Sequence, residues 1–396
     1  MTSSTETQSS ERWRGAWEVF WHFLLLGCTS FGGPAAHLGY FRTAFVVRLK
    51  WLSEEHYAHL LALSQFLPGP GSSQVGFAIG QHRAGLPGAI AAFIGFTLPS
   101  FVIMTAVAVT SLTTTAAWVP GVIMGLKWLA VVVVLDAVTG MFSRFCNAKD
   151  TQAIALLTLA TLVVWPGVGG QLLVLLLAAA WGASRRATAP GKVSKGARGR
   201  VRWLSLAMFL LLAGLGALGW LGELWPAFYQ AGALVFGGGH VVLPLLQATV
   251  GDAISQDAFL LGYAVAQALP GPLFSLAAYL GALLQPETPL LGAALATLAI
   301  FLPGFLLLLA VRDYWQALLA RPRINGAVFG INAAVVGLLM AALYQPVFLQ
   351  GVQVPWHLAP VVIGVLLLRS QRVPLVVLVL GFAFSGITLN ALPLAI

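Results

Sequence analysis

Gln65-Phe66-Leu67-Pro68-Gly69-Pro70-Gly71-Ser72-Ser73 lies within an apolar stretch of the chain, and its reading decides the fold. Each proline pushes the residue before it out of helical geometry, and Gly69 tolerates whatever turn results. Pro70 suits the first position of a new helix, where its missing N–H costs nothing. The amides of Gly71, Ser72 and Ser73 would then have no partner within that helix. A helix start of this kind carries roughly half a positive charge and suits an anion. The Gln65 amide and the Ser72 and Ser73 hydroxyls add neutral donors beside it.

The device is written twice. Gln267-Ala268-Leu269-Pro270-Gly271-Pro272, followed by Ser275, repeats it 202 positions after Gln65. Phe31-Gly32-Gly33-Pro34 is matched by Phe236-Gly237-Gly238-Gly239 at a shift of 205. Gly88 and Pro99 find Gly292 and Pro303 at 204, and Gly121 and Gly125 find Gly326 and Gly330 at 205. Landmarks in one order at a nearly constant shift mark a duplicated unit.

Composition names the solvent. Of 396 residues 59% are hydrophobic and only 8% charged, with a mean hydropathy of +0.89. A soluble domain carries about 25% charged residues because water must wet its surface. A chain this poor in charge is a polytopic membrane protein, with the lipid bilayer as its surroundings. The net charge of +9 does not point to nucleic acid, because Lys and Arg sit in short loops between apolar runs. Cys28 and Cys146 form no CxxC pair and read as small buried thiols.

Charge also orients the halves. Arg42, Arg48, Lys50, His82 and Arg83 follow the two breaks of the first half, whereas the matching second-half loops carry Asp252, Asp257 and Glu287. The bias reverses at the next loop, where residues 111–120 are uncharged but 312–323 hold Arg312, Arg321 and Arg323. An inverted second half satisfies the positive-inside rule in both copies. Segments 88–110, 121–142, 203–221, 289–311 and 326–344 approach the about 20 residues that a spanning helix needs. Segments 16–47, 57–81, 226–249 and 258–284 must return to their starting side if the charge pattern is to hold, so re-entrant or broken helices are expected there; the alternative, one kinked span in each, breaks the positive-inside rule at several loops. The expected fold is all-α: two inverted repeats joined by a linking transmembrane helix. Its parts are a disordered tail at 1–14, a first repeat at 15–182, a basic cytoplasmic linker with its helix at 183–222, and a second repeat at 223–396.

The candidate binding residues follow from the breaks. They are Gly32, Gly33, His37, Gln65, Gly69, Gly71, Ser72 and Ser73 in the first half, and Gly237, Gly238, His240, Gln267, Gly271 and Ser275 in the second. Either His37 or His240 can carry a proton or touch an anion; a hydrogen-bonded packing role suits them equally. Lys127 stands in an apolar run, where charge is rare and usually functional, although its long stem could also snorkel to the interface. Asp136, nine residues on and on the opposite helical face, is the candidate proton carrier. Glu54, Glu55, His56 and His59 lie at a basic boundary and are not read as a metal site. No Walker A, HExxH or nucleophile-elbow sequence occurs, so neither an enzyme nor a cofactor is expected.

Phe-Gly-Gly-Pro-x-x-His paired with Gln-x-x-Pro-Gly-Pro, repeated in two halves of a membrane chain, resembles the two-domain form of the chromate ion transporter family. The resemblance covers residues 16–391, nearly the whole chain. It implies chromate efflux that confers chromate resistance, with sulfate as the analogous oxyanion and protons as the coupling ion. It further implies a multi-pass protein of a bacterial-type plasma membrane with its N-terminus in the cytoplasm; a homodimer is compatible with it. Gly239 departs from the pattern, since the first half has Pro34 there. Alternatives are transport of sulfate or another oxyanion, and a membrane scaffold or receptor that transports nothing. Duplicated intramembrane breaks argue against a scaffold, which gains nothing from polar backbone at that depth.

Overall fold

The computed structural model describes residues 3–113, 118–185, 201–236, 238–314 and 321–391, and shows helices without a strand among them. In the first repeat these are α1 (Ser3–Thr29), α2 (Gly33–Phe41), α3 (Glu54–Phe66), α4 (Gly71–Thr113), α5 (Val119–Phe145), α6 (Lys149–Val164) and α7 (Val168–Arg185). Helix α8 (Trp203–Ala217) links to α9 (Leu224–Leu234), α10 (Val242–Val250), α11 (Gln256–Ala268), α12 (Leu276–Leu284) and α13 (Pro289–Val311). Helices α14 (Pro322–Ala342), α15 (Leu358–Arg369) and α16 (Leu375–Ala391) complete the chain. Among the described residues, five helical stretches, within 71–111, 119–145, 168–185, 289–311 and 322–351, are long and apolar enough to cross a membrane. Val164, Leu176, Leu204, Leu366 and Phe384 are exposed, as suits side chains facing lipid.

The breaks turn the chain back on itself. His56, at the start of α3, lies with its ring 4.8 Å from that of His82, beyond the Pro-Gly-Pro break. A straight helix would separate those residues by roughly 40 Å. In the second repeat, a Cβ on Gly262 of α11 would overlap the Tyr279 ring of α12. Before the first break, Phe23 of α1 packs at 5.4 Å on Phe41 and 4.8 Å on Phe45. Helix α4 has its own reversal at Ala84 and Gly85, where Gly85 takes φ +68, and Gly80 and Gly88 press together across it. Gly281 and Gly292 repeat that contact between α12 and α13. Both hairpins are therefore re-entrant.

The repeats exchange their C-terminal helices. Helix α7 packs on α14, and α16 packs on α5. Glycines permit the close approach: a Cβ on Gly182 would strike the Gly326 carbonyl, and one on Gly386 would strike that of Gly121. Gly27 against Phe96 and Gly232 against Ile300 give a second pair of matching contacts. One large core cluster runs through both halves, and a smaller aromatic one around Phe23, Phe45 and Phe96 belongs to the first.

Two stretches differ from the sequence reading. The polar N-terminus, expected as a disordered tail, is helical from Ser3; no glycine or proline precedes Gly15 to stop α1 extending. The linking span expected over 203–221 is helical only to Ala217, since Gly219 and Gly222 take positive φ and end it.

Charged loops sort to two ends. Glu18 pairs with Arg83 at 2.9 Å, Arg83 stacks over Trp51, and a cavity joins His56 and His82 to Arg312. This is the basic end. Lys127, Asp257, Asp252 and Gln345 line cavities at the opposite end.

Candidate functional site

The four helix breaks meet at the interface between the repeats. The Gly69 amide donates to the Val235 carbonyl at 2.7 Å, and the Gly271 amide donates to the Ser30 carbonyl at 3.1 Å. These bonds are symmetry mates: each Pro-Gly-Pro turn caps the residue just ahead of the other repeat's glycine break. Each turn also nests against a proline-disturbed helix of the other repeat. A Cβ on Gly69 would stand 2.9 Å from the Gly304 Cα, and one on Gly271 would stand 3.0 Å from Ser100 Oγ. Glycine is required at both places by space and by φ values of +122 and +98.

The first repeat presents an open helix start. Gln74 N donates to Pro70 O at 2.8 Å, making Pro70 the first intrahelical acceptor of α4. The amides of Gly71, Ser72 and Ser73 lie ahead of that bond. Ser72 and Ser73 are buried, and His37, fully buried on α2, places Nδ1 3.4 Å from Ser72 Oγ. The Ser73 and Ser30 hydroxyls and Gln74 Oε1 have no hydrogen-bond partner among the described residues. Buried polar atoms without partners are uncommon and mark a place prepared for water or a ligand. The left-handed Gly32 and Gly33, at φ +97 and +75, turn the chain into α2 beside this group.

The second repeat closes the same turn more tightly. Leu273–Ser275 is a 3₁₀ turn in which Ser275 N donates to Pro272 O at 3.0 Å, so one fewer amide is free; the Ser275 hydroxyl is buried without a partner. Gly238 takes φ +149, and His240 Nδ1 lies 3.1 Å from both Tyr263 OH and Gln267 Nε2. Gly237 lies outside the described residues.

Three expected residues stand apart. Gln65 does not turn to the break; its Oε1 accepts from Arg144 Nη2 at 3.1 Å. Lys127 is buried on α5 and pairs at 2.5 Å with Asp257 of α11, beside a cavity of about 290 Å³ at the opposite end. Asp136 lies 3.6 Å from Arg369 of α15, within electrostatic reach of the His240 imidazole. Gln74 was not singled out by sequence, although an amide two residues past Ser72 in an apolar helix was a visible signal. Its Nε2 bridges Pro68 O at 2.9 Å and Gly304 O at 3.0 Å, tying the first turn to the second repeat. Tyr263, four residues before Gln267, was also missed.

Gly239 now has a reason. A Cβ there would lie 3.0 Å from Pro34 Cγ, so the two equivalent positions face each other across the interface. A proline on one side leaves no room for another opposite it.

Inverted repeats whose broken helices face one another within the membrane define the construction used by gradient-driven transporters. The comparisons with known proteins agree with that class. Residues 17–183 and 222–387 each match the chromate transporter family model, and the chain belongs to that family. It is 29% identical over 347 residues to the probable chromate transport protein of Synechococcus elongatus, covering 81% of this chain and 82% of that one. It is 28% identical over 388 residues to the chromate transport protein of Cupriavidus metallidurans, covering 93% and 92%. An uncharacterized transporter of Methanocaldococcus jannaschii is 26% identical over 387 residues, covering 93% and 94%. No solved structure matches the chain.

Proposed function

We propose that the protein exports chromate across a bacterial-type plasma membrane in exchange for protons, with its basic end and N-terminus in the cytoplasm. The observation that carries the reading is the meeting of four helix breaks around an α4 start with three amides outside its hydrogen-bond ladder. Several weak donors at fixed positions suit a tetrahedral dianion and still release it. In this reading Gly71, Ser72, Ser73 and His37 hold the anion from one repeat, while His240, Gln267 and Ser275 complete the site from the other. Rocking the repeats against each other parts the Gly69–Val235 and Gly271–Ser30 bonds and alternates exposure. Asp136, paired with Arg369 and within electrostatic reach of His240, is the proton-coupling group. Lys127 serves the anion's passage at the far end rather than its binding at the breaks.

Everted vesicles test this directly. Vesicles containing the protein should accumulate chromate when a proton gradient is imposed, and sulfate should compete because it offers the same charge and shape. Uptake no greater than in vesicles lacking the protein would overturn the reading.

A further inference from the structure

The basic end holds a second group of polar residues outside the four breaks. A cavity of about 180 Å³ opens there between the first re-entrant hairpin and the end of α13. His56 and His59 of α3, Gln81 and His82 of α4, and Arg312 and Asp313 line its polar side. The imidazoles of His56 and His82 lie 4.8 Å apart, and Gln81 Oε1 is buried without a partner. Three imidazoles and a guanidinium around one cavity face both repeats at once.

Charge counting favours an anion. Asp313 is the single carboxylate lining the cavity among the described residues, and Arg312 and Arg202 hold it at 3.1 and 3.0 Å. Its partial burial works against ionisation, yet those two partners outweigh it and keep the carboxyl below its usual range. Two guanidinium groups against one carboxylate leave a surplus positive charge before any imidazole is protonated. The other nearby charges are engaged elsewhere: Glu54 with Arg42 and Arg83 with Glu18, while Glu55 is exposed on α3. No group of three or more His, Cys, Asp or Glu among the described residues has a metal-holding arrangement.

We infer that this cavity is a second site for a tetrahedral oxyanion, loaded when His56, His59 and His82 take up protons. Protonated imidazoles repel one another and Arg312, so an anion among them stabilises the protonated cluster. A dianion here would be collected from the basic end before it reaches the breaks, and a falling pH would strengthen the capture. Burial, then the positive charge of His82, His59 and Arg312 around it, hold the His56 imidazole below its usual range, so its proton is taken up together with the anion. The inference rests on the proposal that the cargo is an oxyanion approaching from this end.

Radiolabelled sulfate, measured by equilibrium dialysis on the purified full-length protein, tests the site without transport. Wild type should bind one more sulfate per chain at pH about 6 than at pH about 8. The double variant His56→Ala/His82→Ala should lose that extra sulfate while unfolding at the same temperature as wild type in sulfate-free buffer. Gly71→Val, which alters the breaks, should retain it, so failure of chromate export and failure of this site are read separately. Arg312→Gln should weaken that extra binding at pH about 6. Equal binding at the two pH values, or an extra sulfate that survives the double variant, would overturn the inference.

Discussion

At the scale of single residues, the proposed site depends on backbone geometry at the breaks more than on any one charge. A Cβ on Gly71 would meet Ser64 O in ordinary contact at 3.5 Å, so it is the two γ-methyls of valine that crowd the turn, without removing any amide. Ser72→Ala removes one hydroxyl and leaves the backbone intact. We expect Gly71→Val to abolish chromate uptake in vesicles and Ser72→Ala to weaken it by about 1 kcal/mol, near fivefold. Normal transport by Gly71→Val would make the turn structural only. The facing pair Pro34 and Gly239 gives a sharper test. Gly239→Pro should destabilise the solubilised protein by about 1–3 kcal/mol through overpacking. Combining it with Pro34→Gly moves the proline to the other side of the interface and should recover most of that loss. A double variant as unstable as the single one would show that the contact is not the cause.

Among elements, the exchanged helices and the ion pair at the far end make separate predictions. Gly125 and Gly330 lie against the Phe382 and Ala178 carbonyls, whereas Gly140 on α5 has nothing within 4 Å of its Cβ position. Gly125→Ala and Gly330→Ala should therefore lower the unfolding temperature in detergent, and Gly140→Ala should not. Lys127 and Asp257 join α5 to α11, but Lys127 is the buried partner and Asp257 is 55% exposed on its side chain. Asp257→Asn leaves a buried ammonium unpaired, while Lys127→Gln leaves a carboxylate that water can reach. Asp257→Asn should be the more damaging of the two, with a coupling of about 1 kcal/mol in a double-mutant cycle. Equal losses would place both charges in water. The sequence made Gly121, Gly125, Gly326 and Gly330 legible as matching landmarks, because a repeat shows in self-comparison. It did not show that each set packs on the last helix of the other repeat, since correspondence along a chain carries no information about partners. The breaks were legible for a local reason, proline and glycine chemistry. That Gln65 turns to Arg144 while Gln267 turns to His240 was not legible, because identical motifs met different neighbours.

For the whole molecule, the sorting of charge to two ends predicts accessibility. In a variant without Cys28 and Cys146, single cysteines at Arg48, Arg83 and Arg312 should react with an impermeant thiol reagent from one face only. Cysteines at Asp257 and Glu287 should react only from the other. Labelling of 48 and 83 from opposite faces would exclude the re-entrant hairpin. The helix exchange also sets a timetable for biosynthesis. Gly125 of α5 meets Phe382, and Gly182 of α7 meets Gly326, residues that leave the ribosome 257 and 144 positions later. At about 5–20 residues per second, the nascent first half waits roughly 10–50 s with its glycine-lined helix faces turned to lipid. In that interval two unfinished chains in one membrane could satisfy each other, so slowing translation after residue 200 should increase cross-paired, misassembled product.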